Sequence, residues 1–274
     1  NAETIRNTSA DSLGDLLRRE AGLQLSRSGG PGQTTGIFLR GASSSQTVLL
    51  VDGVRVGSAT VGTPSLEGLG LAQIERIEIL RGPGSSLYGA DAIGGVVQVF
   101  TRRGEGGTSF SARAALGGHG GREVSAALEG TTGAWDYAAS ASREQDDGVS
   151  TLRPSADSAF YQPYNPDRDG HRRDSLQAQI GFKPAAGHRI GLVVLRTKLD
   201  AQYDASEYAP PDYLPDNTPD FRTRLDTEVT ALDWRGALGA GLIGSAKASR
   251  SVDDAASGGT LIDRPSLEVV YDTV

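Results

Sequence analysis

The chain from Thr108 to its end is a series of strand-like segments joined by connections of very unequal length. In each segment of about ten residues, small apolar and polar side chains alternate, as expected for a β-strand with two different faces. We count about eight such segments. The connections at 185–187 and 239–241 are short, whereas those at 146–173 and 201–224 are long. This asymmetry favours an outer-membrane β-barrel, because a soluble β-sandwich alternates in the same way but its loops are rarely so unequal.

The segment 225–234 shows how the two faces divide. Its odd positions, from Leu225 to Asp233, share one face, and its even positions, from Asp226 to Trp234, share the other. The division is imperfect, so Asp233 should lie near a strand end. Three aromatic residues stand near predicted strand ends, as in the aromatic girdles of membrane barrels; they are Trp135, Tyr137 and Trp234. The alternation alone leaves a soluble β-protein open as the alternative.

Composition excludes several classes of protein. The chain has 274 residues and a formal net charge of −7, which argues against a nucleic-acid partner, since that requires a basic surface. It contains no cysteine, so disulfides and thiolate metal sites are excluded, and its 37 glycines suit turns and close backbone contacts. No apolar run is long enough for a transmembrane helix. No signal peptide is visible, and we expect that the start at Asn1 is a mature or trimmed one.

The first part of the chain, to about residue 104, has a different pattern. Leucines at helical spacing predict a helix that is capped by Ser9 or Asp11 and ends at Gly22. Short strands follow, and the segment 71–80 begins like a helix and ends with strand-like alternation. Mixed short helices and strands over about 100 residues predict a compact α/β domain.

One loop carries a partial cation-binding pattern. Asn165, Asp167 and Asp169 place an oxygen-bearing side chain at every second position, and Gly170 follows. An EF-hand loop begins in this way, but its twelfth position must be a glutamate, and here it is Leu176. The loop alone therefore predicts either a polar turn or half of a cation site that other loops complete.

Enzymatic activity is not supported by the motifs. The chain has no phosphate-binding loop, no nucleophile elbow and no zinc-protease helix motif, and its three histidines lie at unrelated spacing.

Two segments of the first domain carry a family resemblance. The segments 37–56 and 74–101 hold the motifs IFLRG, VDGV and RGPGSSLYGADAIGGVV in order, and they resemble the plug domain of TonB-dependent outer-membrane receptors. The resemblance implies an α/β plug domain (1–104) followed by an antiparallel transmembrane β-barrel (105–274), of which about eight of roughly 22 strands are present. It also implies contact with outer-membrane lipid, energy coupling through the TonB protein, and import of a bulky cargo into the periplasm of a bacterium.

Within that family the chain is most similar to the cobalamin (vitamin B12) transporters. In these, the two long loops carry aspartates that bind calcium. The resemblance implies calcium ligands at Asn165, Asp167, Asp169, Tyr203, Asp204 and either Asp216 or Asp220. Ser150 replaces an aspartate of the family pattern, and Asp146 or Asp147 could substitute for it.

The resemblance also implies a set of cargo contacts in three plug loops and one barrel loop. They are Thr34, Gly36, Ser43, Val61, Gly62 and Ala205. Short side chains and exposed backbone suit a bulky corrinoid. Two alternatives remain at this point: a TonB-dependent receptor for an iron-chelating siderophore, and a calcium-stabilised surface binding or adhesion protein.

Overall fold

The structure is a computed structural model. It describes residues 5, 8, 10, 12–30, 32–57, 62–150, 167–208, 210–216, 218–259 and 267–273. Of these, 215 and 267–273 are described as backbone only. Within these ranges, no helix is long and apolar enough to cross a bilayer.

Within its described residues, the N-terminal domain contains two short helices and six strands with defined bounds. They are α1 (Leu13–Leu17), β1 (Leu23–Arg27), β2 (Thr35–Leu39), β3 (Thr47–Val51), β4 (Val54–Val56), β5 (Ile74–Arg81), α2 (Ser85–Tyr88) and β6 (Gly95–Thr101). β1 and β2 form an antiparallel hairpin, and the other four strands form a sheet in the order β4-β3-β6-β5. β3 and β6 pair in parallel, which makes this the mixed α/β domain that the sequence predicts.

The first helix is shorter than predicted. The predicted caps, Ser9 and Asp11, lie outside the described residues, and the observed cap is Ser12, whose side chain accepts a hydrogen bond from the backbone N–H of Asp15. The helix ends at Leu17 and not at Gly22, because the chain must turn before β1 can pair with β2. The helix-like start of 71–80 is only the 3-10 turn Leu71–Gln73, and the rest is β5.

The rest of the described chain forms one large antiparallel sheet of eight strands. Its strands are β7 (Ser109–Leu116), β8 (Arg122–Thr132), β9 (Trp135–Val149), β10 (Asp169–Phe182), β11 (Arg189–Gln202), β14 (Arg222–Gly239), β15 (Leu242–Gly258) and β16 (Leu267–Thr273). Their order in the sheet is β16-β15-β14-β11-β10-β9-β8-β7, so consecutive strands of this sheet lie side by side. The hairpin of β12 (Glu207–Tyr208) and β13 (Pro215–Asp216) lies in the second long loop. The predicted count of about eight strands is confirmed.

The inward face of the large sheet packs on the N-terminal domain. In β11 and β14, Leu195, Val229 and Ala231 are buried in the same hydrophobic cluster as Leu13 and Ile37. Apolar residues therefore occur on the inward face as well, because a protein domain and not water covers it.

The outward face of the large sheet is also apolar, but it is exposed. Leu176 is 55% exposed and Leu232 is 52% exposed. At one rim, Trp135 stacks on Phe182 with 4.5 Å between ring centroids, where β9 begins and β10 ends. Exposed apolar side chains with aromatic residues at the rim are typical of a lipid-facing surface.

Candidate functional site

Three carboxylates converge where two neighbouring strands meet the long loops. Asp169 begins β10, Asp167 precedes it, and Asp204 follows the end of β11. Because β10 and β11 pair antiparallel, with His171 opposite Ala201, the start of one strand lies beside the end of the other. One ligand oxygen from each of the three aspartates lies within 4.8 Å of the other two.

The electrostatics of this acidic cluster favour a bound cation. Burial raises the pKa of Asp167, and the negative charges of Asp169 and Asp220 raise it further. Asp169 is only 2% exposed. Three oxygen ligands with excess negative charge in a partly buried setting match the coordination chemistry of Ca²⁺, which takes hard oxygen ligands at several positions. The residues present therefore fit the predicted ion.

Of the other predicted calcium ligands, Tyr203 and Asp216 have hydrogen-bond partners outside the acidic cluster. Asn165 lies outside the described residues. The hydroxyl of Tyr203 lies 2.9 Å from the Ser257 hydroxyl, so its phenol is engaged at the sheet. Asp216 accepts hydrogen bonds from the backbone N–H and the hydroxyl of Thr218, at 3.0 and 2.7 Å, and these hold its pKa below the ordinary value.

Of the two alternatives, Asp220 acts on the acidic cluster, because its negative charge raises the pKa of Asp167. Its carboxylate also accepts a hydrogen bond from Gln202 at 3.0 Å and one from Arg222 at 2.8 Å. Asp146, a predicted substitute ligand, instead accepts a hydrogen bond from the backbone N–H of Gly148 at 2.6 Å.

Three of the predicted cargo contacts lie close together in the N-terminal domain. Thr34 precedes β2 and Gly36 lies within it. The backbone N–H of Ile37 donates to the Ser44 hydroxyl at 3.0 Å, which brings the exposed turn that begins at Ser43 beside β2.

The remaining cargo predictions are more dispersed. Gly62 is exposed, with a φ of 64° that favours glycine, and Val61 beside it lies outside the described residues. Ala205 is partly buried and follows Asp204 of the acidic cluster.

Two glutamines that were not predicted as functional residues connect the loop of Thr34 to the acidic cluster. Gln33, next to Thr34, donates from its side chain to the carbonyl of Gln202 at 2.9 Å. The side chain of Gln202 donates to Asp220 and accepts from the backbone N–H of Gly170 at 3.3 Å. A glutamine in a loop or at a strand end gives no signal in the sequence, so only the packing of the domain against the sheet shows this connection.

Further polar contacts fasten the N-terminal domain to the sheet. The Ser65 hydroxyl donates to Asp253 of β15 at 3.1 Å, and Arg173 of β10 donates to the carbonyl of Glu67 at 3.0 Å. Lys247 of β15 donates to the carbonyl of Asp52. The domain is therefore attached by hydrogen bonds as well as by the shared hydrophobic cluster.

A small mixed domain that is held against the inward face of a long-stranded antiparallel sheet is the architecture of the plug-and-barrel class of membrane proteins. Residues 1–96 match the family described as TonB-dependent Receptor Plug Domain. The chain belongs to the TonB-dependent receptors, which are outer-membrane proteins of bacteria and not enzymes.

Sequence relatives agree with this assignment. The chain is 32% identical over 209 residues to the vitamin B12 transporter BtuB of Photobacterium profundum, and this match covers 76% of the chain and 33% of that relative. It is 46% identical over 103 residues to the BtuB of Vibrio vulnificus, which covers 38% of the chain and 17% of that relative. The chain thus spans a third or less of the length of these relatives.

Solved structures share the fold. The ferric yersiniabactin uptake receptor FyuA of Yersinia pestis superposes with a TM-score of 0.72 at 20% identity, over 94% of the chain and 40% of that receptor. The siderophore receptor PiuA of Acinetobacter baumannii gives 0.72 at 15% identity, over 94% of the chain and 36% of that receptor.

Proposed function

We propose that this chain is part of a receptor that binds cobalamin at the outer membrane and imports it into the periplasm with energy from the TonB system. The single observation that carries the cargo assignment is the 32% identity to a vitamin B12 transporter, because it extends over 209 residues. That length exceeds the N-terminal domain, so the match includes strands of the barrel and their loops.

We propose further that calcium binds at Asp167, Asp169 and Asp204. These residues lie on the two long loops, and the cluster of their oxygen atoms supports the assignment. The ion would neutralise carboxylates that repel one another and would hold the two loops in one arrangement. The loops then form a fixed surface above Thr34 and Gly36, against which a rigid cargo can bind.

The test is equilibrium binding of cyanocobalamin to the purified receptor, with calcium present and after removal by a chelator. Ordering one loop residue costs about 1–2 kcal/mol, so calcium removal should weaken binding by about tenfold or more, since 1.4 kcal/mol is a factor of ten. Asp204→Asn should reproduce the effect. Asp212→Asn is the matched control, because this exposed aspartate lies in the same loop but outside the cluster.

Two other outcomes would contradict the proposal. If a ferric siderophore binds and competes while cobalamin does not bind, the receptor takes iron chelates. If neither cargo binds and calcium only stabilises the protein, a surface binding or adhesion role replaces transport.

A further inference from the structure

We propose that Glu67 is a positioning residue that fastens the first plug loop (residues 28–36) to the barrel wall in a proton-dependent manner. This inference rests on the proposed function in one respect only, the assignment of cargo contacts to that loop.

The geometry places Glu67 between the plug loop and the wall. Its carboxylate accepts a hydrogen bond from the backbone N–H of Thr35 at 3.4 Å, between the predicted cargo contacts Thr34 and Gly36. Its own carbonyl accepts from Arg173 of β10 at 3.0 Å. One residue therefore holds the loop on one side and the barrel on the other.

The surroundings of the Glu67 carboxyl are crowded with charge. Among the described residues, Asp253 and Arg173 act on it, with Asp253 opposing its ionisation and Arg173 favouring it. Arg173 is already paired with Glu144 at 2.8 Å, and His171 lies 2.9 Å from that same glutamate. A single guanidinium is thus shared between the wall and the plug.

Burial is the main cause of the raised pKa of the Glu67 carboxyl. The residue keeps a small exposed surface, but protein surrounds the carboxyl on most sides, and this raises the pKa of Glu67 to about 7. Below that pH the neutral group fits the crowded site. Above it, Glu67 becomes a further carboxylate that competes with Glu144 for Arg173 and is repelled by Asp253.

The consequence for the loop follows from the hydrogen bond to Thr35. This bond favours the ionised form of Glu67, because a carboxylate accepts a backbone N–H more strongly than a neutral carboxyl does. The first plug loop should therefore be less mobile above pH 7 than below it, without any change in the barrel strands.

The experiment uses a spin label, because the sequence contains no cysteine of its own. Ser28→Cys places the label on an exposed residue whose backbone N–H donates to the Thr34 carbonyl at 3.1 Å. Label mobility is measured by electron paramagnetic resonance from pH 5.5 to 8.5, on the receptor in outer-membrane preparations without cargo. We expect mobility to fall as pH rises, with a midpoint near pH 7.

Three variants separate positioning from a general structural role. Glu67→Gln mimics the neutral form, which accepts the Thr35 N–H more weakly, and should give a mobile loop with no pH transition. Asp253→Asn should move the midpoint to lower pH, because it removes the like charge. Glu78→Gln is the matched control, since Glu78 is an exposed carboxylate paired with Arg76 at 2.9 Å, and the transition should be unchanged.

The proposal is overturned if the parent protein shows no transition, or if Glu67→Gln retains the same one. Should Glu67→Gln fail to assemble, the midpoint shift in Asp253→Asn still decides. Because no cargo is present, failure here is independent of whether the receptor binds cobalamin.

Discussion

Replacement of Asp52 by alanine should destabilise the plug strongly. Asp52 is 4% exposed, and its carboxylate accepts hydrogen bonds from the backbone N–H and the hydroxyl of Thr101, at 3.2 and 2.5 Å. These bonds join the end of β3 to the end of β6. Asp52 also has a φ of 49°, a left-handed conformation that aspartate tolerates better than alanine does.

The magnitude follows from these contacts. The substitution leaves two buried groups of Thr101 without their partner, at about 1–3 kcal/mol each. The left-handed backbone adds about 1 kcal/mol for alanine. The opening free energy of the β3–β6 region should therefore fall by about 4 kcal/mol. Lys247 should keep its contact, because it binds the Asp52 carbonyl and not the side chain.

Hydrogen exchange measured by mass spectrometry provides the assay. A loss of about 4 kcal/mol should speed exchange of the Thr101 amide by about a thousandfold. Asp52→Asn retains an acceptor and tolerates the backbone conformation, so its effect should be much smaller. Asp91→Ala is the control, because its exposed pair with Arg55 contributes about 1 kcal/mol or less. Unchanged Thr101 exchange in Asp52→Ala would refute the reasoning.

Three further substitutions test other contacts. Gly95→Ala would place a Cβ atom 2.2 Å from the carbonyl oxygen of Leu80, so β5 and β6 should separate at that end and limited proteolysis should cut there. Ser65→Ala loses one hydrogen bond to Asp253 and should cost about 1 kcal/mol, measurable as a lower urea midpoint for release of the plug; an unchanged midpoint would count against that bond. Gln202→Ala removes the connection between the plug loop and the acidic loop, so the Gly170 amide should exchange faster while barrel-strand amides do not change.

The local order of the barrel segments could be read from the sequence. Period-two alternation fixes which side chains share a face, and all eight predicted segments are strands in the structure. The mixture of short helix-like and strand-like segments in the first 100 residues likewise predicted a mixed α/β domain, and the structure has one. The predicted helix was too long, since leucine spacing cannot show where pairing of β1 with β2 ends it.

The sequence by itself determined the strands, their two faces and the oxygen-bearing side chains that the acidic loops offer to a cation. Only the tertiary structure decided which carboxylates converge and that the charge of Asp220 acts on them. It also decided that Arg173 of the barrel wall donates a hydrogen bond to Glu67 of the plug. The physical reason is that alternation is a local steric property of each strand, whereas these contacts join residues far apart in the chain. Their energies depend on burial and on neighbouring charge, and both exist only after the plug has packed against the sheet.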